Sequence, residues 1–176
     1  MKITRSLKKN NSNEIKRYYD IAKTKLFPIM RSLTGEGVRT TLKIIQKEFY
    51  QLKIKKFKSG TNVFDWIIPE EWNVSEAYVM DKYKNKIIDF KINNLHLLGY
   101  SIPVKKKITK KELFKNLYFL KKQPEAVPYT TSYYKKRWGF CLSYNEYKIL
   151  DKRYSLNDKF YVVINSNFNK SGYLNY

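Results

Sequence analysis

The sequence is poor in residues that bind metals or cross-link chains. Its 176 residues include one cysteine, Cys141, and one histidine, His96. A single cysteine cannot form an internal disulfide, and no Cys-x-x-Cys pair is present for zinc or redox chemistry. Zinc sites combine several His, Cys, Asp or Glu ligands, and this pair of residues supplies no such set. The composition therefore favours a reducing cytoplasm and predicts no metal site.

Long apolar stretches are also missing. No run approaches the ~18 apolar residues that a membrane-spanning helix needs. The first residues, Met1 to Lys9, lack the apolar core of a secretory signal. We therefore expect a cytoplasmic protein with no membrane partner.

Acidic residues are few, at 15 against 36 basic ones, and the net charge is +21. Such an excess ordinarily suggests a nucleic-acid partner. However, 30 of the 36 basic residues are lysines, and Asn, Ile and Tyr are abundant as well, as an AT-rich genome would produce. Lysine contacts phosphates but lacks the bidentate base reading of arginine. The charge alone therefore does not predict a nucleic-acid-binding protein.

Motifs for nucleophilic or phosphate chemistry are absent. There is no Gly-x-Ser-x-Gly sequence, and a Ser-His-Asp or Cys-His site would have to use His96 as its base. The Gly35-Glu36-Gly37 segment opens a helix, but it lacks the third glycine, the preceding strand and the lysine of phosphate-binding loops. No catalytic residue is therefore predicted.

The residues that are present predict an α+β fold. Hydrophobic residues make up 43% of the chain, enough to bury one core. Residues 14–33 show helical spacing with a break at Pro28, and Val38 to Leu52 form the clearest amphipathic helix. Capping boxes at Thr109 and Ser143 predict a helix near 110–120 and a short second one. Alternating runs predict strands at 52–58, 63–68, 76–80, 86–91, 95–102, 137–142 and 159–164, whereas residues 105–107, all lysine, indicate a solvated loop.

Two places stand out as candidate sites. His96 would share a strand face with Leu98 and Tyr100, either as a half-buried residue bonded to backbone or in a functional role. Residues 129–140 interleave aromatic and basic side chains tightly. Such interleaving can bind single-stranded nucleic acid or sugars, but the alternation around Trp138 also fits a core strand behind a basic loop.

Six blocks, in order, resemble a known family. They are Pro28 to Arg39, Ser59 to Trp66, Pro69 to Asn73, Ile88 to Ser101, Tyr129 to Cys141 and Gly172 to Tyr176. The resemblance is to bacterial zinc aminopeptidase-like proteins encoded among polysaccharide-biosynthesis genes. It implies N-terminal helices of an aminopeptidase-like α/β domain at 1–58, an inserted β-rich domain at 59–150, and the start of a return to the first domain at 151–176.

The resemblance also implies a function. Family members carry zinc on a His, Asp and Glu cluster, which is expected beyond Tyr176, as in a truncated or split reading frame. We therefore expect an N-terminal fragment of a zinc-dependent hydrolase of peptide or amide bonds, inactive alone and with no cofactor of its own. Its expected partners are the remaining part of the protein or another copy, since Leu26, Leu42, Ile45 and Phe49 would lack cover. The alternative is a non-catalytic module that binds saccharides or peptides.

Candidate functional residues fall into two groups. The polar candidates are chosen for their place in the matching blocks. They are Arg31, Arg39, His96 and Arg137. The aromatic candidates could stack on a sugar or peptide. They are Trp66, Trp72, Tyr133, Tyr134 and Trp138.

Overall fold

Two helices open the chain. The computed structural model describes the backbone of residues 2–132 and 134–176, and side chains from residue 12 onward except that of Tyr133. Helix α1 spans Lys2–Ile21 and continues as a π-helical turn, Ala22–Leu26. The helical path ends before Pro28, as predicted, because proline lacks the N–H that an interior position must donate. Helix α2 spans Glu36–Glu48 and confirms the predicted amphipathic helix.

A four-stranded antiparallel sheet forms the centre of the fold. Its strands are β4 (Glu71–Met80), β5 (Lys86–Asp89), β6 (Val104–Thr109) and β9 (Lys159–Asn169), in the order β5-β4-β9-β6. The long strands β4 and β9 pair along most of their length, and the register shifts between Val74 and Glu76. Such a bulge bends the strand and increases its local twist.

Three short strand pairs surround this sheet. Strand β1 (Lys56–Lys58) pairs antiparallel with β10 (Tyr173–Asn175). Strands β2 (Asn62–Val63) and β3 (Trp66–Ile67) form a hairpin, and β7 (Leu117–Tyr118) pairs in parallel with β8 (Phe140–Cys141). Two of these pairs join segments far apart in sequence, so they tie the ends and the middle of the chain together.

Both predicted capping boxes are confirmed. Helix α3 (Lys110–Phe114) begins after Thr109, and helix α4 (Tyr144–Arg153) begins after Ser143. In each helix the cap side chain accepts the N–H of the glutamate three residues later, whose carboxylate accepts a backbone N–H in return. Helix α3 ends well before the predicted residue 120, because the next residues pair as β7 with β8.

The core lies between the sheet and the segments packed on it. Its side chains that are at most 1% exposed include those of Ala77, Val79, Phe140, Phe160 and Val162. The centre of strand β9 is buried on both faces, since the consecutive residues Val162, Val163 and Ile164 are all buried. Helices and sheets in these proportions confirm the predicted α+β class.

Three secondary-structure predictions are wrong. Residues 63–68 are not one strand but contain the β2–β3 hairpin, with its turn at 64–65. Residues 95–102 do not form a strand, since Asn94–His96 is a 3₁₀ turn capped by the Asn93 side chain and irregular chain follows. Residues 105–107 are not a loop but the middle of β6, paired with β9. β6 lies at the sheet edge, where exposed lysines discourage pairing with other chains, and this role hid the strand in the sequence.

The structure also bears on the predicted boundary at residue 150. That boundary falls inside α4, and β9, which follows it, pairs with β4 and β6 of the predicted insert. The end of the chain returns to the N-terminal part through β10 on β1. The division at 1–58, 59–150 and 151–176 stays a prediction, but β9 shares one sheet with the middle segment.

Candidate functional site

An open cleft brings together two of the predicted aromatic residues, Trp66 and Tyr134. It has a volume of about 720 Å³, within the range of small-molecule sites. Its walls come from the β2–β3 hairpin and the chain that follows it, from residues 100–103, from Ser132 and residues 134–136, and from the end of β9. Long-range pairing of the sheet brings these four segments together.

Aromatic rings form the floor of the cleft. Tyr100 is 3% exposed and adopts a left-handed φ of 59°. Its ring stacks on Trp72 at 5.6 Å and tilts against Phe168 at 6.2 Å, and its hydroxyl lies 2.7 Å from Thr34 Oγ1. These three contacts hold the ring of Tyr100 in place.

Trp72 supports this floor but does not face a ligand. It is 3% exposed, and its indole N–H donates to the carbonyl of Ser101 at 3.0 Å. A buried tryptophan normally satisfies its N–H in this way. The structure therefore removes Trp72 from the predicted ligand-contacting residues and places it in the core.

The β2–β3 hairpin forms one wall with exposed apolar groups. Its two-residue turn is Phe64-Asp65, and Phe64 has a φ of 53° with a side chain as exposed as in the unfolded chain. Trp66 is half-buried, and Ile67 is 61% exposed. A bulky residue in the left-handed region is a genuine outlier, since asparagine or glycine is the usual choice at such a turn.

The cleft also carries charges of both signs. Asp65 and Glu70 line it together with Lys135 and Lys136. Within the described residues, none of these four side chains takes part in an ion pair or a side-chain hydrogen bond. The cleft is therefore amphipathic, with aromatic faces and polar groups available to a ligand.

His96 lies away from the cleft and is held by the fold. It is 8% exposed, its Nδ1 lies 2.8 Å from the carbonyl of Cys141, and its Nε2 is 3.9 Å from Glu146 Oε1. The interpretation of a histidine bonded to backbone is confirmed, although it sits on the 3₁₀ turn and not on a strand. Burial raises the pKa of the neighbouring Cys141 thiol to about 11, so that thiol is a poor nucleophile.

Arg39 is an anchor between elements. Its guanidinium donates two hydrogen bonds of 2.7 Å to Glu71, which also accepts the backbone N–H of Tyr173 at 3.1 Å. The hydrogen bond from Arg39 is the main reason why the pKa of Glu71 falls to about 2. This ion pair joins α2 to β4 and β10, so the structure gives Arg39 a positioning role.

The other predicted side chains are dispersed. Arg31 donates to the carbonyl of Leu26 and so closes the π-helical turn. Arg137 donates to the carbonyl of Thr131 at 3.2 Å and lies over the ring of Tyr118. Trp138 packs on the core with Lys106 above it, as the core-strand alternative predicted. Tyr133 lies outside the described residues.

The residues present do not fit a zinc site. Across 12–132 and 134–176, where side chains are described, no three His, Cys, Asp or Glu side chains come close enough to hold a metal ion. His96 Nδ1 is already engaged with a backbone carbonyl. In the same part of the chain, no helix has the length and hydropathy to cross a bilayer.

Sequence reasoning missed the floor and the charged rim of the cleft. The sequence places Tyr100 on a predicted strand, but Phe168 lies beyond the last predicted strand, 159–164, and Asp65, Glu70 and Lys135 are not among the predicted ligand contacts. The available signal was the cluster of aromatic residues at 64–66, which matched one of the six blocks. Nothing in the sequence placed that cluster beside residues 100 and 168.

Comparison with known proteins identifies the lineage. A Clostridium acetobutylicum protein named "Putative polysaccharide biosynthesis protein with aminopeptidase-like domain" is 47% identical over 151 residues, covering 86% of this chain and 33% of that protein. A crystal structure described as a "putative peptidase" from the same organism superposes with a TM-score of 0.85 at 42% identity, covering 99% of this chain and 40% of that one. The chain thus spans about a third of the curated relative.

The domain family agrees with these relatives. Residues 71–167 match the family described as "Domain of unknown function (DUF2172)". That range begins with β4 and ends within β9, so it contains β4, β5 and β6 in full and most of β9. The resemblance to aminopeptidase-like proteins is confirmed, and the chain belongs to the DUF2172 family.

Proposed function

We propose that this chain is one part of a zinc-dependent aminopeptidase-like hydrolase that acts on peptide or amide bonds, and that it is inactive by itself. The observation that carries the proposal is that this chain covers less than half the length of its relatives. Nearly all of this chain aligns with a peptidase structure, but with only 40% of that structure's length. A metal-binding part would then be supplied by polypeptide other than these 176 residues.

The contribution of this chain is structural in this proposal. Its described residues offer no zinc ligand set, so we route no chemical step through them. What they supply is a folded sheet and a helical segment anchored to it by Arg39 and Glu71. The partners are the rest of such a protein or a second copy of the chain, and the location is cytoplasmic.

A comparison of three samples tests this proposal. They are the purified chain, the full-length C. acetobutylicum relative, and the chain mixed with that relative lacking its matching 151 residues. Each is assayed for bound zinc by mass spectrometry and for hydrolysis of leucine p-nitroanilide. We expect zinc and activity in the intact relative and neither in the chain alone. Stoichiometric zinc with hydrolysis by the chain alone would overturn the proposal.

The aromatic cleft supports a second candidate, a saccharide- or peptide-binding module. Apolar clefts with a few polar groups are the usual form of ligand sites. A titration that follows tryptophan fluorescence tests it, because Trp66 lines the cleft. Nucleic acid stays a disfavoured partner, and retention of DNA or RNA above about 200 mM salt would reverse that view, since purely electrostatic binding falls steeply by then.

A further inference from the structure

We propose that the aromatic cleft binds an acidic oligosaccharide, with sugar rings stacked on the aromatic side chains and a sugar carboxylate held by Lys135 and Lys136. This inference rests on the second candidate function and adds the class of ligand. It concerns the cleft between the β2–β3 hairpin and residues 100–103, 132, 134–136 and 168.

Strained backbone conformations at this cleft indicate a functional site. Three non-glycine residues of the described chain have a positive φ, namely Phe64, Lys84 and Tyr100. Lys84 lies in a tight turn held by Asp81, which explains its conformation. The other two are aromatic and lie at the hairpin tip and on the floor of the cleft. Such strain persists where the surroundings enforce it, commonly at binding sites.

The aromatic surface fits sugar rings. Trp66 and Tyr134 line the walls above the Tyr100 and Phe168 floor. Flat rings that are partly open to water suit ligands with one apolar and one polar side, as the C–H face and the hydroxyls of a pyranose provide. The hairpin tip extends this surface beyond the cleft through the fully exposed Phe64.

The charges favour an acidic saccharide. Asp65 and Glu70 can accept hydrogen bonds from hydroxyl groups, because ionised carboxylates are acceptors only. Lys135 and Lys136 are donors that can pair with a carboxylate of the ligand. The excess of 36 basic over 15 acidic residues also attracts anionic ligands over long range.

A peptide fits the same cleft less well. Extended peptides commonly add a strand to an exposed sheet edge and gain most of their affinity from main-chain hydrogen bonds. The strand beside the cleft, β3, is two residues long. Its edge is too short for such pairing, so a peptide would have to bind through side chains alone.

Matched probes separate the ligand classes. Trigalacturonic acid, its trimethyl ester and trialanine are titrated into the full chain by calorimetry at fixed salt. We expect trigalacturonic acid to bind, the ester to bind about 10-fold more weakly, and trialanine not to bind. A tenfold change corresponds to the loss of two exposed charge contacts.

Variants locate the binding. The exposed pair K135Q/K136Q should weaken trigalacturonic acid about 10-fold and leave the ester unchanged, while W66A should weaken both. The control K121Q/K122Q removes the same charge from exposed lysines that do not line the cleft, and it should bind as the parent does. Circular dichroism checks that W66A folds, and E70Q provides a milder second test of the cleft.

Three results would overturn the inference, and each would reject a different part of it. Binding of trialanine without trigalacturonic acid would keep the binding module and reject the saccharide. No binding by any probe would reject both. An equal loss in K121Q/K122Q and K135Q/K136Q would show attraction to net charge and would reject the cleft as the site.

Discussion

The sheet and the N-terminal helices bury apolar surface to very different degrees. In the sheet region, Val79, Phe140 and Val162 are completely buried. In α2, whose residues the structure describes throughout, no side chain is buried. Along the helical segment Ile15, Phe27 and Phe49 are 68%, 62% and 51% exposed.

This difference shows that an amphipathic pattern specifies a helix but not what covers it. In the sheet region, the sheet and the segments packed on it both belong to this chain. Their apolar residues therefore bury one another. The helices are held by polar contacts instead, chiefly Arg39 with Glu71 and the hydroxyl of Thr34, which accepts the N–H of Trp72. Apolar helix faces of this kind are typical of surfaces that other polypeptide covers.

The largest effect is expected in the sheet core. Phe140→Ala removes a completely buried ring and should lower the free energy of unfolding by about 3–5 kcal/mol through lost burial and the cavity left behind. Phe49→Ala removes the same atoms from a ring that is 51% exposed and stacked on Tyr18, and should cost about 1 kcal/mol. Urea denaturation measures both.

Equal costs at these two positions would contradict the comparison. The slope of the urea transition is the control, because a change in slope would indicate a change in the surface exposed on unfolding. A loss at Phe49 as large as that at Phe140 would mean that α2 is already covered in solution, for example by a second copy of the chain.

A smaller effect is expected where the two regions meet. Glu71→Gln keeps the shape but removes the charge that pairs with Arg39, and it should lower the free energy of unfolding by about 2 kcal/mol. This is less than the ~3–5 kcal/mol of a fully buried pair, because the Arg39 side chain stays 24% exposed. Glu36→Gln is a matched control, since Glu36 also pairs with Arg39 but is 62% exposed. It should cost under about 0.5 kcal/mol.

The same ion pair predicts a pH dependence. The pKa of Glu71 is lowered from 4.5 to about 2 in the fold, mainly by the hydrogen bond from Arg39. A carboxyl group with a lowered pKa stabilises the fold above its unfolded pKa and loses that contribution as the pH falls towards its folded pKa. The stability difference between the parent and Glu71→Gln should be constant from about pH 7 to 5 and shrink below about pH 4.5. A constant difference down to about pH 2.5 would contradict this assignment.

Local signals in the sequence predicted local structure well. The Thr109 and Ser143 caps were found because each box joins residues only three positions apart. Helix α2 and the second half of strand β4, predicted at 76–80, are visible because burial on one face leaves its period in the sequence. Strand β6 is not predicted because its three consecutive lysines hide the alternation of a strand. Lysines suit the exposed edge of a sheet, and the sequence alone does not show that β6 lies at the edge beside β9.

The candidate site was only half predictable for the same reason. Trp66 and Tyr134 are visible as aromatic residues beside charges, but the floor that joins them uses Tyr100 and Phe168. Only the pairing of β4 with β9 brings these segments together. Trp72 shows the reverse error, since an aromatic residue in a family block is buried by the fold.

The smallest effect on folding is expected on the exposed helix face, where the effect on association should be the largest. Ile15→Glu combined with Phe27→Glu replaces side chains that are 68% and 62% exposed, so the free energy of unfolding should change by at most about 0.5 kcal/mol. The parent chain should self-associate through this face, and the double variant should sediment as a monomer at the same concentration. Tyr83→Glu together with Ile92→Glu is the control, because these residues are 68% and 82% exposed but lie outside the helical segment. If the parent is already monomeric in analytical ultracentrifugation, or if the control variant abolishes association equally, the helix face is not the surface that needs a partner.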